Sequence, residues 1–107
     1  MITVIEVPRT LPLDAPVLDA EAKAGDMIKR GEEIVSLLGL PVKGEVKRGR
    51  VAGEEIIRVA KDYEADLIVM GIRSEIRMAQ EILSRTSDLV LRRAPCEVIL
   101  DKLAVVP

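Results

Sequence analysis

Residues 65–71, ADLIVMG, decide the fold. They follow a helical segment and close on a glycine. A buried-type run of this length, set between a helix and a glycine, predicts a strand covered on both faces. Ligands of open α/β sheets bind beyond the carboxyl ends of such strands. The segment that continues from it, GIRSEIRMAQEILSRTSDLVLRRAPC at 71–96, lies where a phosphate would be held, yet has no glycine after Gly71. It either binds a nucleotide or keeps the frame of a nucleotide loop without its use.

Working upstream, a helix is predicted over about 52–63, with Ile56, Ile57, Val59, Ala60 and Tyr63 on a broad apolar face. Tyr63 is assigned to the core with its hydroxyl at the surface. PVKGEVKRG at 41–49 reads as a more polar strand at a sheet edge. From 19 to 38, Ala20, Ala24, Met27, Ile28, Gly31, Ile34, Val35 and Leu38 keep helical spacing. Asp19 is placed to cap that helix, and Gly39 to end it in left-handed geometry. ITVIEV at 2–7 is a β-branched strand stopped by Pro8, and PRTLPLDAP at 8–16 is an extended connection. Downstream, a helix is predicted from 79 or 80 to 91, with Ile82, Leu83, Thr86, Leu89 and Val90 inward. CEVILD at 96–101 is the last strand, entered through Pro95, and the apolar tail carries no assignment. The order β-α-β-α-β-α-β implies a single domain over 1–107, with a mostly parallel sheet of about four strands and helices on its faces.

Composition narrows the function. The 49% apolar fraction argues against a disordered chain. One Tyr and no Phe or Trp leave almost nothing for stacking on bases, and a net charge of −2 lacks the basic excess that phosphate backbones need, so no nucleic-acid partner is expected. The absence of His removes Ser-His-Asp and Cys-His nucleophile schemes and the usual zinc sites. Cys96, the lone cysteine, suits a reducing compartment and reads as a small buried hydrophobe. Pro8 and nearby charges interrupt the N-terminal apolar run, so no signal peptide is read, and no apolar run approaches the ~20 residues that span a bilayer.

ADLIVMG at 65–71 and LVLRRAPCEVIL at 89–100, with Ala94-Pro95-Cys96 entering the last strand, resemble the C-terminal half of universal stress protein domains. The match is good from about 42 to 100. VIEVPRTLPLDAP at 4–16 and RGRVAGEEI at 48–56 look like the second-strand and third-strand regions of stress-protein-like domains at the cytoplasmic C-termini of amino-acid permeases. The resemblance implies an adenine-nucleotide-hydrolase-like, Rossmann-like fold and a cytoplasmic location, as a free domain or on the cytoplasmic face of a transporter.

Two departures follow. The family's first strand, which lies at the sheet centre and ends in an Asp near the nucleotide, precedes ITVIEV in the family pattern and is not in this sequence. Its ATP-binding members also carry Gly-x-x-Gly, nine residues, then Gly-Ser or Gly-Thr. Laid on this chain, the glycines fall on Gly71, Ser74 and Ser84, and the Ser/Thr position on Arg85. Glycine in a phosphate loop lets N–H groups turn inward at φ > 0 and lets phosphate approach with no Cβ in the way. A serine in left-handed geometry costs about 1–2 kcal/mol. The degenerate nucleotide site would comprise Gly71, Arg73, Ser74, Ser84, Arg85 and Thr86, and ATP is disfavoured there.

Each charged cluster has two readings. Arg73, Arg77, Arg85, Arg92 and Arg93 are either a solvated face balanced by Glu75, Glu81 and Asp88, which is preferred, or an anion site at a helix N-terminus. Lys47, Arg48 and Arg50 are either edge protection, again preferred, or charges that greet an anionic ligand. Glu54 and Glu55 serve the helix dipole. Asp14 and Asp19 lack calcium-loop spacing.

If the family's strand order 3-2-1-4-5 holds, the absent strand is the middle one. Leaving a few hundred Å² of apolar sheet open is unfavourable by several kcal/mol at ~25 cal/mol per Å². The expectation is a homodimer that buries this face or exchanges strands, with Cys96, Val98, Ile99 and Leu100 of the last strand at the contact, as the family commonly pairs. The function expected is a non-catalytic regulatory or interaction domain with no metal and no cofactor, related to a permease domain or partnered by a membrane transporter. The alternative is an ATP- or AMP-binding stress sensor.

Overall fold

The computed structural model describes residues 1–72, 75–77, 80–82 and 84–102. Its elements are β1 (Ile2–Glu6), α1 (Leu18–Leu37), β2 (Glu45–Gly49), α2 (Ala52–Asp62), β3 (Leu67–Ile72), β4 (Glu75–Arg77), β5 (Gln80–Ile82), α3 (Arg85–Arg93) and β6 (Glu97–Lys102). The α/β class and parallel pairing expected from sequence are present. β1 pairs with β2, from Ile2 opposite Glu45 to Glu6 opposite Gly49, and β3 pairs with β6, from Leu67 opposite Glu97 to Ile72 opposite Lys102. The four strands form two separate two-stranded sheets, and β4 and β5 make a third, antiparallel pair. The chain divides into two compact units, Met1–Glu55 and Ile56–Pro107.

In the first unit, the apolar alternation of β1 buries Ile5, Val7 follows it inward, and both pack with Ala24 of α1 and the half-buried Ala20. Burying each of Ile5 and Val7 contributes about 1.5–3 kcal/mol. Positions 20, 24 and 28 are one face of a 3.6-residue helix, which is why α1 lies on this pair. Asp19 is not the cap. Val17 is, with no side-chain bond, and Asp19 and Glu21 sit in the first turn, where they complement the helix dipole. Gly39 ends the helix as expected, at φ +73°, its N–H donating to Ser36 O. Gly31 is explained by packing: the Met1 side chain lies where its Cβ would stand.

In the second unit, α2 buries Ile57, Val59 and Ala60, and α3 buries Val90 completely. Two expectations fail here. Tyr63 is 58% exposed, because α2 ends at Asp62 and Glu64 turns the chain at φ +50°. β3 is not covered on both faces: Ile68 and Met70 are half-buried, whereas Leu67 and Val69 are 42% and 63% exposed.

The third helix also starts later than 79 or 80. Residues 80–82 are β5, paired with β4, and α3 begins at Arg85. Ser84 is the physical reason. Its backbone is extended, at φ −63° and ψ 158°, and its hydroxyl accepts the Ser87 N–H at 3.1 Å. A serine cap competes effectively with the weak start signal of Ala79 or Gln80. Of the inward positions expected, Val90 is buried and Thr86 and Leu89 are half-buried; Ile82 belongs to β5, and Leu83 lies outside the described residues.

Candidate functional site

The expected nucleotide loop begins at Gly71. That residue lies inside β3, extended and paired with Asp101, and the strand runs one residue past it to Ile72. Arg73 and Ser74 lie outside the described residues. Ser84 is the cap of α3, and its hydroxyl is engaged twice: it accepts from Ser87 N and lies 2.9 Å from Ser87 Oγ. Ser87 is 2% exposed, so this pair closes the helix start from within. The helical spacing from Thr86 to Val90 hid Ser87, which sequence reasoning did not single out; a serine three residues after a capping serine was the available signal. Arg85 and Thr86 follow in the first turn, Arg85 exposed and Thr86 half-buried. At the other end of α3, Arg92 Nε donates to Asp88 Oδ1 at 3.2 Å, an exposed i,i+4 pair of the kind a solvated face carries.

The second basic cluster, on β2 and beyond it, has a use that neither sequence reading named. Arg48 donates from Nη1 to Ala15 O at 2.7 Å and to Leu13 O at 3.5 Å, while its Nη2 pairs with the Glu21 carboxylate. Arg50 donates from Nη1 to Val7 O, Pro8 O and Leu11 O at 3.2, 2.5 and 2.8 Å. The two guanidiniums thus satisfy the carbonyls of the proline-rich connection, where prolines supply acceptors but no N–H donors. Lys47 pairs with Glu45 at 2.8 Å. These cations serve the chain's own backbone and carboxylates.

The expected contact residues of the last strand divide. Cys96 is half-buried and precedes β6, so it is not the buried hydrophobe expected. Val98 and Leu100 are half-buried, and Ile99 is 46% exposed. In the register of the pair, Ile99 lies opposite Val69 and Glu97 opposite Leu67. Leu67, Val69 and Ile99 therefore share one exposed apolar sheet face. β6 is bonded on one side only among the described residues. Also among the described residues, no three His, Cys, Asp or Glu side chains converge to hold a metal ion, and no helix is long and apolar enough to cross a membrane.

Parallel strand pairs joined through helices define an α/β domain. The profile of the universal stress protein family matches residues 1–102, and the chain belongs to that family. No curated protein matches the chain.

Proposed function

We propose that this chain is a non-catalytic universal-stress-protein-like module that works by self-association and does not bind ATP. The open apolar face of β3 and β6 carries this reading. Leu67, Val69 and Ile99 are 42%, 63% and 46% exposed on adjacent strands. Strand residues of this type are stable in contact with a helix or a second sheet, and a contiguous exposed patch marks an interaction surface. A second copy supplies the cover, either by burying the face or by exchanging strands. The loop supports the rest: Gly71 is consumed by the β3 ladder and the Ser84 hydroxyl by the cap of α3. The parent or partner protein we propose is an amino-acid permease with this domain on its cytoplasmic side, on the likeness of residues 4–16 and 48–56 to such domains.

Sedimentation equilibrium at micromolar concentration tests self-association, and a stable folded monomer refutes it. Thermal unfolding with excess ATP and Mg²⁺ tests the loop. The expected shift is near zero, whereas ligand at 100 times Kd would stabilise by ~2.7 kcal/mol. The exposed Arg85 at the start of α3 favours the second reading, an ATP or AMP sensor, and that larger shift would establish it. The genomic sequence upstream of Met1 tests the permease link, which predicts membrane helices encoded in frame.

A further inference from the structure

α1 carries a second face beside the one that packs on β1. Lys23, Met27, Arg30, Ile34 and Leu37 follow one another at spacings of four, three, four and three, and all five are exposed. Met27, Ile34 and Leu37 are 63%, 55% and 88% exposed. Such spacing aligns side chains along a single stripe, so this is an apolar ridge with two cations set into it. The sheet of β3 and β6 offers the opposite pattern. Its open face holds Leu67, Val69 and Ile99, and two carboxylates flank them on β6: Glu97, opposite Leu67, and Asp101, opposite Gly71. Glu97 and Asp101 are exposed.

The spacings agree. Lys23 and Arg30 are seven helical residues apart, about 10 Å along the axis. Glu97 and Asp101 are four strand residues apart, about 13 Å. Long side chains close a difference of that size. None of these four charges makes an ion pair among the described residues. Two copies of the acidic sheet face would repel each other if stacked directly, so the charge pattern selects a helix as the occupant and rejects a second sheet.

We propose that α1 of one copy seats its Lys23–Met27–Arg30–Ile34 stripe on the β3–β6 face of a second copy, with Lys23 and Arg30 set against Glu97 and Asp101. This rests on the self-association proposed above and names the surfaces that perform it. Reciprocal seating uses each surface twice and closes a two-fold dimer; one-way seating would leave open chains.

The test uses two variants of the full chain: an acidic-helix variant, Lys23→Glu with Arg30→Glu, and a basic-sheet variant, Glu97→Lys with Asp101→Lys. All four positions are at the surface, and far-UV circular dichroism checks each fold. Each variant alone should dimerise at least about tenfold more weakly than the unaltered chain, because its two surfaces now repel. An equimolar mixture should recover dimers, since the acidic helix then faces the basic sheet and the unaltered surfaces face each other. If the unaltered chain dimerises and both variants dimerise equally well alone, the helix-on-sheet contact is overturned while self-association stands. If the unaltered chain stays monomeric, both are overturned. Should either variant misfold, Met27→Cys chains mixed with Val69→Cys chains, both also carrying Cys96→Ser, give the same decision, because Met27 lies between Lys23 and Arg30 as Val69 lies between the levels of Glu97 and Asp101: a disulfide-linked heterodimer supports the contact, and its absence under oxidising conditions overturns it.

Discussion

Arg48 stands on β2 but acts on a segment more than thirty residues earlier in the chain. Its fork takes Ala15 O with one nitrogen and the Glu21 carboxylate with the other, and its side chain is 25% exposed. Charge-assisted bonds of this kind contribute more than neutral ones, and partial exposure reduces the gain. Arg48→Ala should therefore destabilise the chain by about 1–2 kcal/mol in urea unfolding and speed proteolysis within residues 8–17. Arg48→Lys should recover little, because one ammonium cannot reach two acceptors in fixed fork geometry. An unchanged cleavage rate in Arg48→Ala would show that the connection holds without its clamp. The cluster was visible in the sequence, but its partners were not. Carbonyls of a proline-rich connection leave no trace in residue identity, so a structural clamp and an anion site read alike.

At the scale of elements, the serine pair at the start of α3 decides what the loop region becomes. Ser84 holds the helix start with its hydroxyl, in the position where a phosphate-binding relative would carry glycine. Ser84→Ala should cost about 1 kcal/mol, and Ser84→Gly only a few tenths, because glycine tolerates the cap conformation. Ser84→Gly should also leave thermal unfolding insensitive to ATP, since Gly71 stays locked in the β3 ladder. An ATP-dependent shift in that variant would instead mean that one glycine is enough to reopen the loop.

The long elements were legible from their periodicity. α1 and α2 begin and end within a residue of expectation, and β1, β3 and β6 fall on their β-branched or aliphatic runs. The short β4–β5 pair was not. Three residues a side are too few for a period to register, and Glu75, Arg77, Gln80 and Glu81 are as acceptable to a helix as to a strand. The exposure of Val69 was hidden for a related reason. An unbroken aliphatic run reads as buried on both faces whether or not the second cover is present.

For the whole molecule, the proposed cover of the open faces of α1 and of the β3–β6 sheet by a second copy would tie folding to association. If a second copy covers them, the folded state is a dimer and its stability depends on concentration. For a dimer that unfolds to two chains, each tenfold rise in protein concentration adds about 1.4 kcal/mol per dimer, or ~0.7 kcal/mol per chain. For a chain of this length, that corresponds to a rise in Tm of about 3 °C per tenfold. Salt should act on the same equilibrium from the other side. Screening weakens the pairing of Lys23 and Arg30 with Glu97 and Asp101 but leaves the apolar contact of Met27 and Ile34 in place, so the dimer should loosen a few-fold between 0.05 and 0.5 M salt (roughly a threefold drop in Debye length) without dissociating outright. Calorimetric scans across a hundredfold range of concentration measure the first effect, and sedimentation across the salt range the second. A Tm that does not move with concentration would mean that the chain is folded alone, and that its exposed aliphatic faces are tolerated by the monomer and not shared with a second copy.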